Sequence, residues 1–380
     1  MPWKVKTVSD TRLALCHSVR TGLMPVATAA RRFGVSRKTA YKWLKVFDLH
    51  PGAAACSLGD RSRRPCHSPQ RTTGEIQEKA LELRDRHNWG ARKIQSVLKF
   101  QIKNAPSVRT FSAILRRNGR ITPPTPVAPL QRFERAEPNQ LWQVDFKGPV
   151  EVDRKKIMPF TILDDHSRYL LAFKPCTDLT MNTAWNVLWD VFHRAGLPEQ
   201  ILCDNAFNAR GNFRPAGLSW FDSRLVRLGI QPSHGRPYHP QTQGKVEALH
   251  RSATRELLDF NARKDSQLHF EQDCDAYRNL YNTVRPHQAL GDIPPILRWK
   301  PSPRPRPTVL PEVTYPAGSV LRRVNDHGRI RFKSYRILCG QGIDGDLVRI
   351  EERNEEIAVY YCSKQIRCIS HDQLKKDIIL

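Results

Sequence analysis

Apolar positions recur at three- and four-residue steps through most of the first 120 residues, then give way to short alternating runs. Three short helices are predicted between residues 9 and 47. Leu13, Leu15 and Val19 stripe the first, and Val26, Ala29, Ala30 and Phe33 the second. Gly34 breaks the run and Ser36 caps a third helix over 37–47, whose buried positions are Ala40, Trp43, Leu44 and Phe47. Further helices are predicted over 75–87, 92–100 and 107–118, the last with Val108, Phe111, Ile114 and Leu115 inside. Helix, short glycine-containing turn, helix is a helix-turn-helix layout, and it occurs here twice.

From Leu141 the period shortens. The run LWQVDF alternates as a strand does, with Leu141, Gln143 and Asp145 on the more polar face and Trp142, Val144 and Phe146 on the other. Strands over 157–163 and 169–173 complete a meander. A helix over 180–195 ends at Gly196, a strand over 200–203 delivers Asp204, and a helix over 220–228 ends at Gly229. Residues 232–251 read PSHGRPYHPQTQGKVEALHR. Pro232, Pro237 and Pro240 forbid a helix there, whereas Val246, Leu249, Ala253, Leu257 and Phe260 predict one starting near Gln243 with Thr242 as cap. The last seventy residues hold short alternating runs, a hairpin turn at 325–328 among them, which predict a small barrel of about five strands.

Proline-rich stretches divide these patterns, and the fold expected is multidomain. The predicted order is a helix-turn-helix domain (1–50), a basic linker (51–72), a second helix-turn-helix unit (73–120), a Pro-rich linker (121–137), an α/β core (138–299), a second Pro-rich linker (300–312) and a small β-barrel (313–380).

Charge sharpens the picture. The chain carries 62 basic and 37 acidic residues, a net +25. The first 136 residues hold most of that excess. A block of this density suits double-stranded DNA, which it binds by releasing counterions. The face of the third helix presents Arg37, Lys38, Thr39 and Lys42 to a major groove, and Arg61, Arg63 and Arg64 in the linker suit phosphates or a minor groove. Arg109 opens the corresponding helix of the second unit. Nine cysteines form no CxxC pair, no apolar signal core opens the chain and no run is long enough to span a membrane, so a cytoplasmic, nucleoid-associated protein with reduced thiols is expected.

The order of elements, with Asp145 on the first strand, Asp204-Asn205 after a later one and Glu247 on the following helix, resembles a ribonuclease H-like fold. The elements at Asp145, Asp204-Asn205 and 239–247 (HPQTQGKVE) resemble the DDE motif of bacterial insertion-sequence transposases with a retroviral-integrase-type core. Tyr281-Asn282, Arg285-Pro286-His287, Ala289-Leu290 and Pro294-Pro295 resemble the tail of that core, and the terminal β-module resembles the SH3-like domain of integrases. Forty-two residues separate Asp204 from Glu247, more than is usual in the family.

The resemblance implies a transposase that binds the inverted repeats of its element, cleaves DNA and joins the 3′ ends to a target. Asp145, Asp204 and Glu247 would hold two Mg²⁺ ions, with Mn²⁺ as a substitute, since hard cations prefer carboxylate oxygens and a paired site neutralises attacking and leaving oxygens. Gln243 and Lys245 would touch the transposon end, and a homodimer or higher assembly would bring two ends together. The acidic pair Asp164-Asp165 reads instead as solvated turn chemistry. The alternative reading is a catalytically inactive DNA-binding regulator on the same fold.

Overall fold

A computed structural model of the chain describes residues 7–49, 58–60, 71–121, 134–204, 217–234, 244–333, 335–353 and 356–370. The chain forms two compact units, residues 1–71 and 72–380.

In the first unit, α1 (Val8–Arg20), α2 (Val26–Arg32) and α3 (Arg37–Asp48) surround Leu15, Cys16, Ala30, Ala40, Trp43 and Leu44. Each helix starts where its sequence supplies a stop to the preceding chain. Thr7 and Asp10 form a reciprocal capping box at α1, and the Ser36 hydroxyl accepts from the Thr39 amide at α3. Gly34 takes the left-handed conformation that lets α2 turn sharply into α3. Leu58 closes the core, held by Arg12, whose Nη1 donates to the Leu58 carbonyl at 2.8 Å.

The second unit begins with α4 (Gly74–His87), α5 (Ala91–Leu98) and α6 (Val108–Arg117), packed around Trp89, Ile94, Phe111 and Ile114. Val108, predicted inside, is 41% exposed because it is the first residue of α6 and precedes the buried stripe.

A mixed six-stranded sheet follows. It is built from β1 (Trp142–Phe146), β2 (Val150–Val152), β3 (Lys155–Asp164), β4 (Leu170–Cys176), β5 (Gln200–Cys203) and β6 (Gln231–His234). β3 pairs antiparallel with β1, β2 and β4, while β1, β5 and β6 run parallel. β2 and β6 were not predicted. β2 is three residues long, and Pro232 sits in β6, where an edge position tolerates the missing donor.

Helices cover both faces. On one side α7 (Met181–Ala195) and α8 (Trp220–Arg227) pack on Trp142, Val144, Phe160 and Ile162. On the other, α9 (Gly244–Ala253), widening to a π turn over Thr254–Leu258, and α10 (Gln267–Thr283) pack on Leu163, Leu170 and Phe173. The face of β1 expected to be polar is therefore covered too, and Gln143 is fully buried. Burying side chains such as Phe160, Phe192 and Phe221 contributes about 1.5–3 kcal/mol each.

The tail residues that resemble the family turn out to be braces. The Asn282 side chain accepts from the Leu170 amide at 2.8 Å and donates to the Leu170 carbonyl at 2.9 Å, tying α10 to β4. Arg285 donates to both oxygens of Glu256 at 2.7 and 3.0 Å, and Lys93 of α5 reaches the same carboxylate at 2.5 Å. This buried cluster joins the α4–α6 bundle to the core.

Residues 300–312 lie along the core rather than standing off from it. Ser302 N donates to the Ala195 carbonyl, and Arg304 donates to the carbonyls of Pro198, Leu228 and Gly229 at 2.8–3.0 Å. Beyond this strap come β7 (Val320–Arg323), β8 (Arg329–Phe332), β9 (Tyr335–Leu338), β10 (Leu347–Arg353), β11 (Glu356–Tyr361) and β12 (Lys364–Ser370). They form a four-stranded sheet and a separate hairpin around one core, six strands where about five were predicted. The module meets the start of α8 by backbone contact. A Cβ at Gly340 would lie 2.3 Å from Leu218 N, so only glycine fits.

Candidate active site

Asp145 sits near the end of β1, opposite Thr161 of β3. Thr161 Oγ1 donates to the Asp145 carbonyl at 2.9 Å and accepts from His250 Nε2 at 3.0 Å, since its single proton is already committed. This fixes the imidazole tautomer: the proton is on Nε2, and the Nδ1 lone pair faces Asp145 Oδ2 at 3.8 Å. Burial, reinforced by the Lys147 charge, pushes His250 down to about 4, so the ring is neutral at physiological pH.

Asp204 follows β5. The parallel register pairs Trp142 with Ile201 and Gln143 with Leu202, so the chain leaves β5 at Asp204 beside the strand that bears Asp145. Glu247 lies in the first turn of α9, exposed, while Val246 and Leu249 on either side of it anchor the helix in the core. The charges of Asp204 and Glu247 both act on Asp145. Burial first, then the charge of Asp204, push Asp145 up to about 7; the Phe146 amide pulls it partly back and Glu247 adds to the rise. A cluster whose acids repel in this way is relieved by a divalent cation. Among the described residues no three His, Cys, Asp or Glu side chains close into a ready-made ligand cage.

Next to Asp204, Cys203 Sγ lies 3.3 Å from His234 Nδ1, and His234 Nε2 lies 3.0 Å from Asp222 of α8. The order Cys, His, Asp has the look of a nucleophile and its base. Burial, then Asp222 and Asp204, hold the thiol well above its ordinary value, so it supplies no thiolate. The chain of contacts instead ties β5, β6 and α8 together beneath Asp204.

The residues predicted to touch DNA divide into three groups. Arg37, Lys38 and Lys42 are exposed along α3, with Thr39 half-buried beside its cap, and Arg109 is exposed at the start of α6. Arg61, Arg63, Arg64 and Gln243 lie outside the described residues. Lys245 does not project freely: its ammonium contacts Asp165 Oδ1 at 2.5 Å.

The acidic pair at the β3–β4 turn is likewise not solvated. Asp164 and Asp165 are both fully buried, accepting from the amides of Asn139 and Arg135 respectively. Their partners are distant in sequence, which is why the turn reads as a surface feature. Thr161, His250 and Asp165 were all missed. Of these only His250, one turn beyond Glu247 on the same helix, left a trace in the spacing.

Two family models described as integrase core domain match residues 135–240 and 228–295. The chain is 24% identical over 253 residues to an uncharacterized 39.2 kDa protein of insertion element IS476 from Xanthomonas euvesicatoria, a match spanning 63% of this chain and 70% of that one. It is 28% identical over 123 residues to the Gag-Pro-Pol polyprotein of Sheep pulmonary adenomatosis virus, spanning 32% of this chain and 6% of the polyprotein. Similar solved structures include the HTLV-2 integrase catalytic core domain in complex with magnesium, at 15% identity and TM-score 0.32, covering 43% of this chain and 97% of that one. Another is the simian T-cell lymphotropic virus intasome in complex with a PP2A regulatory subunit, at 14% identity and TM-score 0.37, covering 77% and 99%.

Proposed function

We propose that this chain, an insertion-sequence transposase with an integrase-type core, cleaves DNA at the ends of its element and joins the freed 3′ ends to a target. Asp145, Asp204 and Glu247 are assigned as the carboxylates that hold two Mg²⁺ ions. The observation carrying this reading is the raised Asp145, which feels both other acids although they come from separate elements.

When bound, divalent ions would neutralise the charge that builds on the attacking oxygen, the phosphate and the leaving oxygen. The protein's own part is placement. β1 carries Asp145, its parallel neighbour β5 leads directly into Asp204, and the first turn of α9 carries Glu247. His250 and Thr161 hold the Asp145 backbone in position, and the neutral ring adds no positive charge that would repel a cation. In the cleavage step water attacks the phosphorus and the 3′ oxygen leaves; in the joining step that 3′-OH attacks a target phosphodiester and displaces the target's 3′ oxygen. No covalent protein intermediate is required.

Binding is assigned to α3 through Arg37, Lys38 and Lys42, with Arg109 of α6 in support. We take β7–β12 as an SH3-like module. Two ends have to meet in one complex, so the active form is a dimer or larger assembly on DNA. The test is cleavage and joining of an end-bearing duplex in Mg²⁺ by the wild type and by Asp145→Asn. Loss of both steps in the variant, with duplex binding retained, supports the reading; equal activity in both overturns it.

A further inference from the structure

We propose that Asp165 and Lys245 form a latch that positions Glu247, and that Lys245 is a positioning residue rather than a DNA contact. The inference rests on the reading that Glu247 serves a metal site.

Lys245 is the second residue of α9, two before Glu247. Its Nζ lies 2.5 Å from Asp165 Oδ1 and donates to the Asp165 carbonyl at 3.2 Å. Asp165 is fully buried and held from several directions. Gln143 Nε2 donates to Oδ1 at 2.8 Å, the Arg135 amide donates to Oδ2 at 2.8 Å, and the Asp165 amide donates to the Leu141 carbonyl at 2.9 Å. Gln143, also fully buried, stands on β1 two residues before Asp145.

One network therefore runs from the strand that bears Asp145, through Gln143 and Asp165, to the helix turn that bears Glu247. It fixes the start of α9 against β1. Glu247 needs such a hold because its own side chain is exposed and buries nothing. Val246 and Leu249 anchor the helix to the core, but apolar contacts do not set its first turn against β1 as directional bonds from a buried acid do.

Charge decides between the latch and a phosphate contact. Taking the ammonium away to a phosphate would leave a fully buried carboxylate without its cation, which costs more than one screened contact returns.

The experiment uses the full chain with Mn²⁺ as the probe, titrated calorimetrically, together with the salt dependence of binding to a random-sequence DNA duplex. The variants are Lys245→Met, Asp165→Asn, the double variant, Gln143→Met and, as control, Glu247→Gln. Removing a positive charge near a cation site should by electrostatics alone tighten Mn²⁺. The latch predicts the opposite: Lys245→Met and Asp165→Asn each weaken Mn²⁺ by about 10–100-fold, the double variant is no worse than either, and the salt slope is unchanged. Gln143→Met, which alters neither charge, weakens Mn²⁺ in the same direction and keeps the test open if a charge variant fails to fold.

Tighter or unchanged Mn²⁺ binding in Lys245→Met, with the salt slope reduced by about 0.9, overturns the latch in favour of a phosphate contact. Strict additivity in the double variant also overturns it. If Glu247→Gln leaves Mn²⁺ binding unaltered, the metal-site reading itself fails; if that control weakens binding and the latch variants do not, the latch alone fails.

Discussion

The charge of Asp204, which follows β5, helps hold the proton of Asp145 on the neighbouring parallel strand β1. This arrangement opposes stability in the ion-free protein. A carboxyl raised to about 7 binds its proton more tightly folded than unfolded, so its contribution is fully present below about pH 4 and is lost as pH rises through about 7. Asp145→Asn removes the ionisation. At pH 8 without divalent ions it should raise stability by on the order of 1–2 kcal/mol after allowing for partial solvent screening, with little difference near pH 4. Urea melts at the two pH values check this, and a variant less stable than wild type at pH 8 would contradict it.

A second prediction concerns Glu256, which serves two cations. Burial alone would raise its carboxyl, but Arg285 and Lys93 outweigh burial and lower it. Its contribution is thus present above the ordinary glutamate range and lost as pH falls through the depressed value. Glu256→Gln should cost about 3–5 kcal/mol at pH 7, because it strands the buried Arg285 guanidinium. Lys93, pushed down to about 8 by burial and by Arg285, is the weaker partner. Lys93→Met should change stability by less than about 1 kcal/mol. Thermal or urea unfolding separates the two, and equal costs would refute the asymmetry.

The third prediction is for the recognition face. Lys42 is exposed on α3, its ammonium 5.0 Å from the Trp43 ring, and it is free of any ion pair in the structure's described contacts. Lys42→Ala should lower the slope of log binding constant against log salt by about 0.9 on a duplex. An unchanged slope would remove Lys42 from the interface.

Much of this was legible in the sequence because the signals were local. Ser36 caps its helix as predicted, α6 and α7 begin within one residue of their predicted starts, and the apolar stripes of α3, α6 and α7 face the cores. The candidate acids could be picked out because each ends or begins an element whose type the pattern reveals. What escaped depended on distant partners or on brevity. β6 begins at Gln231 and contains Pro232, so it reads as a break. α10 was overlooked although Phe270, Cys274, Tyr277 and Tyr281 mark its buried side. Asp165 looks like a turn residue until Gln143, Arg135 and Lys245 arrive from elsewhere in the chain. The proline-rich stretch at 300–312 suggests a spacer, yet Arg304 finds three carbonyls on the core.

The central claim is that Asp145, Asp204 and Glu247 together support DNA strand transfer. The most direct measurement is the rate of joining a precleaved end to plasmid DNA in Mg²⁺ by Asp204→Asn and Glu247→Gln beside the wild type. Each variant should fall by at least about a thousandfold, or roughly 4 kcal/mol of barrier, while still binding the end. A variant that joins ends at the wild-type rate would contradict the account.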